Sequence, residues 1–171
     1  PQTRDDREIV RTREDLGNKL SSVKAQVRCL LQRHGIEKPA VGGKAWTKTY
    51  RQWLERISQD GQKGKGLRTA LISLLQQGHQ LELEIVQLDQ AVEQLSQQPH
   101  RKAVVDALDQ EVGVGRLTAT AYAVELGDFT RFRRGRQVGA YWGLSPSSDE
   151  SGEVGDRKGH ITRQGSARIR K

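Results

Sequence analysis

Two long stretches of the chain carry apolar residues at alternating spacings of three and four, and no other feature restricts the architecture so strongly. In the first, Ile9, Leu16, Leu20, Val23, Val27 and Leu30 keep this rhythm, with Arg13 and His34 at its less apolar positions. In the second, Leu67, Leu71, Leu74, Leu81, Ile85, Leu88, Val92 and Leu95 keep it, interrupted only by Gly78. Side chains that recur every 3.5 residues stay on one stripe of an α-helix, so each stretch predicts a long helix burying one stripe. The first should run from about Asp5 to His34 and close at Gly35, and the second should extend on the order of 40 Å. Prolines stand only at 1, 39, 99 and 146, so neither helix is broken. A shorter block, Lys44 to Ser58, puts Trp46, Tyr50, Trp53, Leu54 and Ile57 on one helical face, with the aromatics expected to pack on the long helices. The long helices can close on each other as an antiparallel hairpin or zip with a second copy of the chain, and the pattern is compatible with both.

From Pro99 onward glycine becomes frequent, glutamine sparse, and arginines cluster. We therefore expect an all-α fold: a helical coiled-coil region, residues 1–98, and a small helical domain, residues 99–171, with a helix-hairpin-helix. Only 34% of residues are hydrophobic and 5% aromatic, which is thin for a thick core and suits striped helices. The net charge of +8 favours a polyanionic partner over a membrane surface, because clustered Lys and Arg displace counterions from a nucleic-acid backbone. No apolar run approaches the ~18 residues of a bilayer span and no signal-peptide pattern opens the chain, so a soluble intracellular protein is expected. Cys29, between Val27 and Leu30-Leu31, reads as a reduced, half-buried helix residue. Pro1, and the helix-like run Arg168-Ile169-Arg170-Lys171 without a stop signal, suggest a piece of a longer protein.

Three segments carry chemistry. Val112-Gly113-Val114-Gly115 joins one helical pattern to another that begins near Arg116. Glycines here let the turn reach positive φ and bring backbone N–H groups close to a phosphate, which the next helix meets with its positive end. Arg131-Phe132-Arg133-Arg134-Gly135-Arg136 sets four guanidiniums in six residues; they repel one another unless an anion sits among them. Val138, Tyr141 and Trp142 follow on a helix and read as a packed face, which sets Tyr141 aside as a nucleophile. Finally, Ser147 to Lys171 pairs a hydroxyl cluster with Arg157, Lys158, His160, Arg163, Arg168 and Arg170. A hydroxyl attacks a phosphodiester only when it is deprotonated and the developing charge is held by cations. The carboxylates Asp149, Glu150, Glu153 and Asp156 have no diagnostic metal spacing, and no metal ligand is assigned.

The order Val112-Gly113-Val114-Gly115, Thr118-Ala119, Glu125-Leu126-Gly127-Asp128, Arg131-Phe132, Gln137-Val138, Tyr141, Gly143-Leu144, Pro146, Ser151-Gly152, Gly159, Ile161-Thr162, Gly165 and Ala167-Arg168 resembles the C-terminal domain of the DEDD-type insertion-sequence transposases, the bridge recombinases. The heptad helices resemble the coiled coil that joins that domain to a nuclease-like domain. The resemblance implies a serine-dependent DNA recombinase in which a structured guide RNA pairs with DNA, acting in the cytoplasm of a bacterium or archaeon in association with the nucleoid. Aligned by the glycine after it, Ser151 takes the nucleophile's place. Family members often carry Ser-Ser-Gly-Gly-Lys there, whereas here Glu150 precedes and Glu153-Val154 follow, which keeps Ser148 in reserve. Gly113, Gly115, Arg116, Thr118, Arg131, Arg133, Arg134, Arg136, Arg157, Lys158, Arg163 and Arg168 are the expected nucleic-acid contacts. No strand-rich series of spaced acids precedes the coiled coil, so Mg2+ is expected only through a nuclease-like domain absent from this sequence. DNA, guide RNA and a second copy of the chain are the expected partners. The alternative is a non-catalytic nucleic-acid-binding oligomerisation scaffold.

Overall fold

The computed structural model describes residues 2–38, 46–148 and 158–170, the side chains of Gln2, Thr3, Ser148, Lys158 and Ile169 excepted. Both heptad stretches are helices, α1 (Gln2–Arg33) and α3 (Lys65–Ser96), with α2 (Lys48–Gln59) between them. Then come α4 (Pro99–Asp109), α5 (Arg116–Leu126), α6 (Gly135–Tyr141) and two short strands, β1 (Pro146–Ser148) and β2 (Lys158–Ile161). The all-α expectation holds. The chain divides into two compact units, Glu8–Gln94 and a second built from Leu95–Lys171 together with Pro1–Arg7.

In the first unit the α1 stripe meets the α3 stripe in opposite chain directions. Arg13 pairs with Asp89, Leu16 and Val23 cluster with Leu81 and Ile85, and Val27 and Leu30 cluster with Leu67 and Leu71. Of the two arrangements open to the heptads, the described residues take the hairpin within one chain. α2 caps that hairpin: Thr47 accepts a hydrogen bond from the Tyr50 N–H through Oγ1, and Tyr50, Leu54 and Ile57 enter the same core. Leu54 and Leu71 are fully buried there. α1 stops where glycine predicts: Gly35 takes φ +63, and the Ile36 N–H reaches back to the Leu31 carbonyl at 3.0 Å.

Two local expectations are corrected. Cys29 is exposed, because the 100° step per residue that turns Leu30 and Leu31 into the core turns Cys29 out of it. Trp46 precedes α2 at φ +70 instead of lying on its face, and packs edge-on against Tyr50.

In the second unit α4 and α5 form a helical hairpin closed by Val105, Ala119 and Ala123, all fully buried. The alanines let the two helices approach closely. The first turn of α1 belongs to this unit through buried polar contacts. Arg101 donates to Asp6 at 2.5 Å and to Gln98 at 2.7 Å, and Arg7 donates to the carbonyls of Val124 and Glu125 at the end of α5.

Candidate nucleic-acid interface

The turn between α4 and α5 is built as its glycines suggest. Gly113 has φ +88, Gly115 is the N-cap of α5, and a Cβ at either would have nothing within 4 Å. The exposed flanks of this turn are Val112, wholly in solvent, and Thr118. Arg116 behaves differently from expectation. Its guanidinium lies 3.2 Å from Asp106 and 3.7 Å from Asp109, and its Nε donates to Ser96 Oγ at 3.3 Å. It braces the hairpin from a partly exposed position. The hydrogen bond from Lys102, then that from Arg116, hold the Asp106 carboxyl below the usual aspartate range.

Past α5, Asp128 caps a 3-10 turn (Phe129–Arg131) by accepting from the Thr130 hydroxyl and N–H, which lowers its carboxyl below the ordinary range. The arginine cluster then splits by role. Arg131 sits 4.5 Å from the Phe132 ring centroid and 4.4 Å from that of Tyr141, and donates to the Leu126 carbonyl at 2.9 Å. This three-way contact, in which the two rings also meet edge-on at 5.6 Å, pins the loop to the C-terminus of α5, where a cation also meets the helix dipole. Arg133, Arg134 and Arg136 are exposed, and among the described residues no acid pairs with them. The Gln137 amide oxygen accepts the backbone N–H groups of Arg133 at 2.7 Å and Arg134 at 3.1 Å, which fixes the start of α6. Tyr141 is 41% exposed, more open than a packed face implies, whereas Trp142 stacks on Tyr122 at 5.1 Å.

The C-terminal segment returns to the end of α6. β1 and β2 pair antiparallel, Pro146 with Ile161 and Ser148 with Lys158, and Ser147 Oγ donates across to the His160 carbonyl. Gly143, at φ +68, lies against the Gln164 backbone, and Gly165, at φ +86, against the Tyr141 carbonyl. Arg163 is exposed at φ +56, and its N–H donates to the Gly143 carbonyl. Arg170 donates to the carbonyls of Trp142 at 2.9 Å, Gln164 at 3.1 Å and Gly165 at 3.2 Å. That knot was invisible to the sequence, which places Arg170 in a phosphate-holding tail; only tertiary contact reveals three carbonyls needing a donor. Arg168 is half-buried. Ser151 and Arg157 lie outside the described residues, in the segment joining β1 to β2, as do the side chains of Ser148 and Lys158 at its two ends. Among the described residues no group of three His, Cys, Asp or Glu side chains could hold a metal ion, and no helix is long and apolar enough to cross a membrane.

Residues 105–171 match the model of the Transposase IS116/IS110/IS902 family. The chain is also similar to a protein of Sinorhizobium fredii (strain NBRC 101917 / NGR234) named "Putative transposase y4qE", at 30% identity over 164 residues. That alignment takes in 96% of this chain and 37% of the relative, so the chain spans little more than a third of the curated protein it matches. No solved structure matches it. Both comparisons thus find the chain similar to transposases, one over residues 105–171 and one over nearly its whole length.

Proposed function

We propose that this chain is the nucleophile-bearing portion of an RNA-guided DNA transposase that cleaves and rejoins strands through Ser151. The observation that carries the reading is the family match over residues 105–171, which spans both the exposed arginines and the segment holding Ser151. In the proposed step the Ser151 hydroxyl gives up its proton and its oxygen bonds to the scissile phosphorus. The bond from phosphorus to the leaving deoxyribose oxygen breaks, and that oxygen takes a proton. Rejoining runs the same exchange in reverse, with a hydroxyl of another strand displacing the serine oxygen. Arg133, Arg134, Arg136 and Arg163 are exposed cations suited to the phosphate charge, whereas Arg116 and Arg131 support the fold that presents them. Mg2+ would polarise the reacting phosphate from acids on the nuclease-like domain, since no described residues of this chain fit it.

Self-association is part of the proposal. The heptad stripes are occupied by the intrachain pair, so a second copy would meet the outer side of α3, where Ile72, Leu83 and Val86 are 41%, 48% and 54% exposed. Sedimentation of Leu83→Glu with Val86→Glu tests this; a protein whose mass in solution is unchanged by both would exclude that face.

The chemistry is tested on a denaturing gel with the full-length transposase, guide RNA, DNA and Mg2+. Wild type should trap a covalent DNA adduct and Ser151→Ala should not, while Ser148→Ala should. An adduct retained in Ser151→Ala overturns the nucleophile, and no adduct in wild type favours a binding scaffold.

A further inference from the structure

The first unit segregates its charges. Residues 28–75 contain ten Lys or Arg against three Asp or Glu, while the remainder, 8–27 and 76–94, contains four against seven. Ion pairing follows the same division. In the acid-rich part Arg11 meets Glu8 at 3.8 Å, Arg13 meets Asp89 at 2.7 Å and Lys24 reaches Glu82 at 3.8 Å. In the basic part Arg51 is paired, donating twice to Glu82. Arg28, Arg33, Lys48, Arg56, Lys63 and Lys65 are exposed and have no acidic partner among the described residues. Arg68, half-buried, holds its Nε away from solvent without an acceptor.

These cations stand on the end of α1, on α2, in the turn after it and at the start of α3, the segments whose apolar residues share a core. Lys48 and Arg56 lie on the side of α2 opposite Leu54, together with the exposed amides of Gln52 and Gln59, and Lys63 and Lys65 follow in the turn and at the start of α3. Like charges within about 8–10 Å of one another are poorly screened, so they repel unless a counter-charge is supplied. Elsewhere in the unit the chain supplies it; for these six cations no described acid does. Among the described residues of this end Ile72 is the one large apolar side chain exposed, too little to anchor in a bilayer.

We infer that the outer face of α2 and the turn after it, carrying Lys48, Arg56, Lys63 and Lys65, form a second nucleic-acid contact surface whose ligand is the phosphodiester backbone. It belongs to a different unit from Arg133, Arg134 and Arg136 and does not depend on Ser151, so it stands or falls apart from the strand-transfer reading. Backbone binding of this kind positions a duplex without reading its bases.

The test uses the whole chain with all four residues changed to Gln, titrated at several salt concentrations into a random-sequence DNA duplex and an RNA duplex of equal length. A control changes Gln76, Gln80, Gln90 and Gln94 to Glu on α3, matching the net charge without touching the surface. The four-fold variant should bind at least about tenfold more weakly, and its slope of log affinity against log salt should flatten by about 3.6 on DNA, at ~0.9 for each phosphate no longer neutralised. Lys63→Gln with Lys65→Gln alone should flatten the slope by about half as much. Because none of the four pairs with a described acid, the melting temperature should not fall. Weaker binding on both probes assigns the backbone in general, and weaker binding on one assigns DNA or RNA as its source. Unchanged binding on both probes, an equal weakening in the control, or an effect confined to anionic vesicles overturns the inference.

Discussion

Gly143 lies so close to Gln164 that a side chain on it would overlap the Gln164 carbonyl oxygen, and its φ of +68 is one that L-residues rarely adopt. Gly143→Ala therefore meets both backbone strain and a clash with backbone that has no rotamer to escape into. We expect a destabilisation of at least about 2 kcal/mol in the second unit. Gly113→Ala, equally positive in φ but open to solvent, should cost about 1 kcal/mol, and calorimetry on the two variants compares them.

The Asp6–Arg101 pair is buried, with side chains 9% and 5% exposed. Removing one partner strands the other charge, so Asp6→Ala should cost about 3–5 kcal/mol. Asp6→Leu combined with Arg101→Met should cost less than Asp6→Ala alone, which urea denaturation of both variants measures.

Gly78 sits inside α3, where a Cβ would find Val23 Cγ1 at 3.7 Å, an ordinary van der Waals distance. Gly78→Ala should stabilise the first unit by about 0.5–1 kcal/mol, read as a higher urea midpoint.

Glu82 accepts from Arg51 at 2.5 Å and 2.7 Å, and that hydrogen bond, ahead of charge attraction, holds its carboxyl below the usual glutamate range. A lowered folded-state pKa contributes stability above the unfolded glutamate pKa, and that contribution disappears as pH falls through the folded value. The melting temperature of wild type should exceed that of Glu82→Gln at neutral pH, and the two should converge across the acid range. A gap that stays constant down to low pH would show that the pair contributes nothing through ionisation.

The helices were legible because the heptads, Gly35 and Pro99 each act within a few residues of where they stand. Val27 and Leu71 could be assigned to a core from spacing alone. Which arginines face solvent could not. Arg116 and Arg133 are alike in sequence, yet one is held by Asp106 and Asp109 and the other is exposed, a difference set by which acids the fold brings near. Arg131, although exposed, is likewise tied down by Tyr141, ten positions away in the chain. The direction of pairing between α1 and α3 was open for the same reason: a heptad stripe specifies a face and not its occupant.

The bonds of Asp6 and Arg7 with Arg101 and the end of α5 make the second unit discontinuous along the chain. Its earliest residues leave the ribosome long before the partners they need. Bringing them together costs loop-closure entropy that grows with the intervening length, unless something ordered shortens the path. The antiparallel pairing of α1 with α3 does so by setting the two ends of the first unit side by side. Folding should therefore be sequential, the helical pair first and the unit carrying the exposed arginines last, so that damage to the Leu54 and Leu71 core would delay the maturation of a region it does not belong to.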